Sequence, residues 1–170
     1  ELADLRPDVI ARVRKMALLQ SENHPWGAMS DLDLLRSAQL YKKDFQTGKD
    51  GFTLAAILLF GKDETILSVV PHFRIDAILR RDNIDRYDDR DDIRTNLIES
   101  YDRLLRFGEK HLNDPFYLEN DQRISLRGHI LREVISNILI HREYANAFPA
   151  KFIIDRDKLF TENSNKPHGH

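Results

Sequence analysis

Two hydrophobic periods alternate along this chain, and together they limit the folds open to it. Residues 72–80, HFRIDAILR, set Phe73, Ile75 and Ala77 against Arg74 and Asp76, which is the two-residue period of a half-buried strand. Residues 93–112 instead repeat Ile93, Leu97, Tyr101, Leu104, Leu105 and Leu112 at helical spacing, and NDP at 113–115 supplies a stop. A second long helix is expected over 125–144, with Ser125 as its cap and NAFP at 146–149 as its end. Two strands then follow at 151–155 and 158–162, around an Asp155-Arg156-Asp157 turn. A chain with both periods is expected to be α+β, its long helices packed on a small mixed sheet.

The first third reads differently. Residues 7–20 space Val9, Ile10, Val13, Met16, Ala17 and Leu19 as an amphipathic helix with Pro7 in its first turn. Pro25 and Gly27 break that pattern, Ser30 can cap a second short helix, and TGKDG at 47–51 is a turn. The good helix formers in FTLAAILLFG favour a third helix before Gly61. Residues 1–60 therefore read as a mainly helical connector or the end of a preceding domain, and 61–170 as an α+β domain. The run RDNIDRYDDRDD at 81–92 mixes both signs of charge and reads as a solvated loop.

Composition narrows the function classes. With 170 residues, 41% of them hydrophobic, the chain can build a proper core, and a formal net charge of −2 sets up no general field for a polyanion. The absence of cysteine removes disulfides, thiolate metal sites and a cysteine nucleophile, and suits a reducing cytoplasm. No apolar run reaches the ~20 residues of a membrane helix, and no signal-peptide pattern opens the chain, so no membrane partner is expected. A start at Glu1 and a stop in KPHGH suggest a fragment of a longer protein.

The stretch LREVISNILIHREY, 131–144, carries the chemistry. At ~100° per residue, Leu131, Val134, Ile135 and Ile138 form a core face, while His129, Arg132, Ser136 and Glu143 point away from it. Glu133, Asn137 and His141 recur every four residues on a third arc, shared with Leu126 and Ile130, expected to be half-buried beside a cavity. A carboxylate so placed needs a partner, since an unpaired buried charge costs several kcal/mol. A purely structural account pairs Glu133 with Arg127 or Arg142, lets Asn137 tie down a loop and makes His141 a satisfied core histidine. A protein-built metal site at these spacings lacks a second cluster of ligands. The functional account has a carboxylate and an amide, one turn apart, orienting a water and ligating a nucleotide's magnesium.

These residues also resemble a family. Arg132, Glu133, Asn137, His141, Arg142, Glu143 and Tyr144 follow its pattern of Arg-Glu-Ala, apolar residues, Asn-Ala and His-Arg-Asp/Glu-Tyr. GFTLAAILLFGKD upstream is similar to the family's segment ending in Leu-Phe-Gly. The family comprises bacterial proteins filed as transcriptional regulators or RecG-related ATP-dependent DNA helicases. In them a divergent-AAA, Schlafen-type DNA-binding domain precedes a degenerate ATPase domain of the gyrase, Hsp90, histidine-kinase and MutL type. The resemblance implies a partial domain of that type, with ATP and magnesium as ligands. It makes Glu133 the base that orients the attacking water and Asn137 the ligand of the nucleotide's magnesium, with His141 nearby. In ENSNKPHGH, Asn163 stands where the family has an adenine-reading Asp and Asn165 where it has a Gly, with Gly169 further on. That end departs from the pattern. DNA is expected to bind through the full-length protein outside this segment, and FGKDE at 60–64 is no phosphate loop for a motor helicase. The alternative is a structural or dimerisation module, forming a homo-oligomer without nucleotide activity.

Overall fold

The computed structural model describes residues 1–81, 87–112, 116–119, 122–140, 149–156 and 158–163, with no side chains described for 116–126. The fold is α+β, and the chain divides into two compact units. The first comprises Glu1–Val69 with Thr95–Ile98, the second Val70–Arg94 with Glu99–His170.

In the first unit, α1 (Pro7–Gln20) begins on Pro7, whose missing N–H is one that a first helical turn leaves unpaired in any case. Ser30 caps α2 (Asp31–Ser37) by accepting from the Asp33 N–H at 3.1 Å, and Thr53 caps α3 (Leu54–Phe60) through the Ala56 N–H at 3.2 Å. A short helix α4 (Asp63–Val69) follows. The 47–51 turn lies within a hairpin that the sequence alone does not reveal, with β1 (Tyr41–Lys43) antiparallel to β2 (Asp50–Phe52). Three-residue strands are too short to show a period. Leu5, Val9, Ile10, Leu34, Leu35 and Phe60 form this unit's buried core.

The second unit is built on a mixed sheet of order β4-β3-β7-β8. Its central strand β3 (Ile75–Arg80) runs parallel to β7 (Ala150–Asp155) and antiparallel to β4 (Asp89–Ile93), and β8 (Lys158–Glu162) pairs antiparallel with β7. Between β4 and β7 the chain forms α5 (Leu97–His111), a hairpin of β5 (Phe116–Glu119) and β6 (Gln122–Ser125), and α6 (Leu126–Ile140). The turn after β7 places Arg156 at a φ of 45°, a left-handed conformation that tight turns demand.

Two expectations change. The charged run is not all solvated loop, because Asp89–Ile93 forms the edge strand β4, and Ile93 belongs to it rather than to the helix. The reason is alternation: successive side chains of a strand point to opposite faces, so a run of alternating charges can serve each face separately. Arg90 and Asp92 share a face with Asp76 of β3, while Asp89 and Asp91 meet α5, where Arg103 pairs with Asp91 and Lys110 with Asp89. Charges on an edge strand also discourage unwanted pairing. The second change is that β3 is buried on both faces, Asp76 included, which is 4% exposed.

Candidate functional site

The core face of α6 is as its periodicity predicts. Leu131, Ile135, Ile138 and Leu139 are buried, and Val134 is half-buried. The arc bearing Glu133 and Asn137 differs from expectation, for both residues are exposed rather than half-buried beside a cavity. Their neighbours on that arc, Ile130 and Ile140, are 46% and 71% exposed. The polar arc thus merges with the solvent face of His129 and Arg132.

The structural account of Glu133 also fails for one of its two partners. Arg127 Nη1 donates to the carbonyls of Glu109 (3.0 Å) and Leu112 (3.3 Å), and among the described residues no ion pair or hydrogen bond holds Glu133 or Asn137. Arg142 and His141 lie outside the described residues, as do Asn165 and Gly169. Asn163 follows β8 and is half-buried, with an Oδ1 that is shielded from water and accepts no hydrogen bond among the described residues. The structure therefore puts Glu133 and Asn137 on one face, one turn apart, while no hydrogen bond joins Asn163 to them.

These groups bear on the implied ligands. A carboxylate that no described residue engages can orient a water and an amide oxygen can ligate magnesium, whereas the shielded Asn163 Oδ1 could accept from an exocyclic amino group such as that of adenine only once uncovered. Among the described residues no cluster of three or more His, Asp or Glu could hold a metal by itself, so magnesium would depend on a nucleotide's phosphates for its remaining ligands. Clefts lie along the β1–β2 hairpin (about 560 Å³), between β4 and α5 (about 320 Å³) and beside α4 (about 510 Å³). Glu133, Asn137 and Asn163 line none of these three.

The densest electrostatics lie elsewhere, on β3, β4 and α5. Asp76 accepts two hydrogen bonds from Arg90 (2.8 and 2.9 Å) and one from Arg74 (2.9 Å), and this carboxylate raises the Arg90 pKa. Arg94 holds the Asp92 carboxyl below its usual range, against a burial effect of opposite sign. Hydrogen bonds from His111 (2.7 Å) and Lys110 (3.0 Å) bring Asp89 down to about 2. Sequence reasoning missed this network, and the alternating charges of 88–94 were its available signal.

Asp89 yields a pH prediction. Its carboxyl is lower in the folded chain than in the unfolded one, so the contribution is complete above about pH 4 and disappears as pH falls towards 2. The side chain is 33% exposed, and solvent screening reduces the effect to about 1 kcal/mol. Urea unfolding should show Asp89→Asn less stable than wild type by that amount near neutral pH, with the difference vanishing at about pH 2. A difference independent of pH would contradict this origin.

A family described as a domain of unknown function (DUF8451) matches residues 1–76. None of the curated proteins matches the chain by sequence. Among solved structures, the chain is similar to the DIP2311 protein from Corynebacterium diphtheriae, with 20% identity and a TM-score of 0.62 over 91% of this chain. The chain spans 29% of that protein's length, and at this identity the likeness shows a shared fold.

Proposed function

We propose that this chain is part of a cytoplasmic transcription regulator of the bacterial RecG-related type, in which the exposed face of α6 meets ATP and magnesium and DNA is bound mainly by other parts of the protein. The observation that carries this reading is that, among the described residues, nothing engages Glu133 or Asn137. The two polar side chains sit one turn apart on an exposed arc of α6, and no described residue uses either. Magnesium, when bound with the nucleotide, would screen phosphate charge. Asn137 would lend it an amide oxygen, Glu133 would hold a water in line, and Asn163 would accept from the base. An asparagine at that last position reads the base less strongly than a carboxylate would. Hydrolysis is secondary in this reading and strand unwinding has no support.

Exposed side chains enclose little of a ligand, so a Kd of about 0.1–1 mM is expected. Calorimetric titration of the protein with ATP and magnesium should saturate, and Asn137→Ala should weaken binding about tenfold, as loss of about 1.4 kcal/mol implies. Glu133→Gln should bind as wild type does. Absence of saturable binding, or indifference to Asn137→Ala, would rule the nucleotide role out.

The exposure of Ile130 and Ile140 favours a second reading, in which the same face is a dimerisation surface without nucleotide activity. Sedimentation distinguishes the two. A dimer that Ile140→Glu dissociates, in a protein that binds no ATP, would establish the second, and a monomer at all concentrations would exclude it.

A further inference from the structure

We propose that the tip of the β1–β2 hairpin is a nucleic-acid contact, in which Lys42, Lys43 and Lys49 hold backbone phosphates while Phe45 stacks on an unpaired base. This site is independent of the α6 face.

The hairpin tip is ordered from within. Asp44 accepts from the Gln46 N–H at 2.9 Å and the Thr47 hydroxyl at 3.1 Å. Its own N–H donates to the Lys49 carbonyl at 2.8 Å, and its carbonyl accepts from the Gly48 N–H at 2.7 Å. Gly48 closes the turn at a φ of 72°, where a side chain would be strained. Both carboxylate oxygens of Asp44 are thus engaged inside the turn.

What the tip presents outward is three lysines and a ring, with one exposed carboxylate, Asp50, opposite Lys43, so lysines outnumber the carboxylates not engaged within the turn three to one. Lys42, Lys43 and Lys49 are exposed and have no ion pair among the described residues. Lys42 lies opposite Gly51, where even an added Cβ would meet nothing within 4 Å, so a phosphate chain can approach the backbone there. Phe45 is 90% exposed, a large apolar ring held in water by an ordered loop. Free cations beside a free ring are the elements of a single-strand site, in which lysines neutralise phosphates and a ring accepts a base.

The alternative occupant is an anionic membrane, and the hairpin suits it less well. The other two rings, Tyr41 and Phe52, pack edge to face with centroids 4.9 Å apart and lie on the first unit's core. A single ring remains to enter a lipid surface, whereas one ring suffices to stack on one base. With a net charge of −2 on the whole chain, attraction to nucleic acid is local to the hairpin and therefore sensitive to salt.

Fluorescence anisotropy of the protein with a labelled oligothymidylate tests the proposal. Binding should saturate at low salt, with log K falling against log salt at a slope of about −2, as three phosphate contacts on a single strand predict. Phe45→Ala should weaken it at least about fivefold without changing the circular dichroism, and the triple lysine-to-alanine variant should flatten the slope. The proposal is overturned by absence of saturable binding, by unchanged affinity in Phe45→Ala, or by equal affinity for a duplex of the same length. Sedimentation with phosphatidylserine vesicles, where the oligonucleotide does not bind, would also overturn it.

Discussion

Replacing Asp76 with alanine is expected to destabilise the protein by about 3 kcal/mol, the largest loss from any single charged residue described. Asp76 is 4% exposed and sits on the central strand β3, so its charge is tolerated only because Arg90 and Arg74 converge on it. Removing one partner of a buried ion pair usually costs about 3–5 kcal/mol. The lower end applies because the arginine side chains are 41% and 32% exposed and can return to water. Geometry also sets the order of effects. Arg90→Ala removes two of the three hydrogen bonds and should cost about 1–2 kcal/mol, whereas Arg74→Ala leaves the bidentate pair and should cost under about 1. Urea unfolding of the three variants checks the order, and the double variant of Asp76 and Arg90 should fall well short of the sum. If Asp76→Ala cost less than about 1 kcal/mol, the carboxylate would have to be hydrated in the folded protein.

Asp76 also marks the limit of what the sequence could convey. Alternation identified the strand at 72–80 but treated Asp76 as a solvent-facing residue, because period alone cannot tell a half-buried strand from one covered on both faces. The missing information was non-local, namely that residues 89–93 would pair with this strand and bring Arg90 beside it. Strands β7 and β8 were legible since each continuous apolar or alternating run carries its own period, and α3 was legible from propensity. The β1–β2 hairpin was not, since three residues give no period to read.

The candidate site shows a similar boundary. Angular arithmetic placed Glu133 and Asn137 on one arc of α6, and the structure keeps them together. What angles do not determine is whether an arc meets another element, and this one meets solvent. Its apolar members, Leu126 and Ile130, made a half-buried arc the natural expectation on hydrophobicity alone. Phe45 was similarly silent in the sequence, because a lone aromatic in a polar loop can fold inward or stand out, and only the Asp44 turn decides which.

Gly108 supports the last expectation, that α5 and α6 depend on a missing side chain. A Cβ at this position would lie 2.5 and 2.9 Å from the Leu131 methyl carbons and 3.3 Å from its Cγ. Leu131 is fully buried on α6, so its tip cannot swing aside as a surface leucine could. Glycine inside a helix normally costs about 1 kcal/mol relative to alanine, and at an open position Gly108→Ala would stabilise the protein. Overpacking of about 1–3 kcal/mol opposes that gain, so a net loss near 1 kcal/mol is expected for alanine and about 3 for the bulkier, β-branched Gly108→Val. Leu131→Ala alone should cost about 3 kcal/mol by leaving a cavity. Combined with Gly108→Ala it should cost less than the sum by about 1–2 kcal/mol, because the new methyl group enters the space the leucine vacates. Thermal or urea unfolding of the four proteins measures this coupling directly. Strict additivity would mean that the two helices already have room at Gly108, and that the glycine serves some purpose other than their close approach.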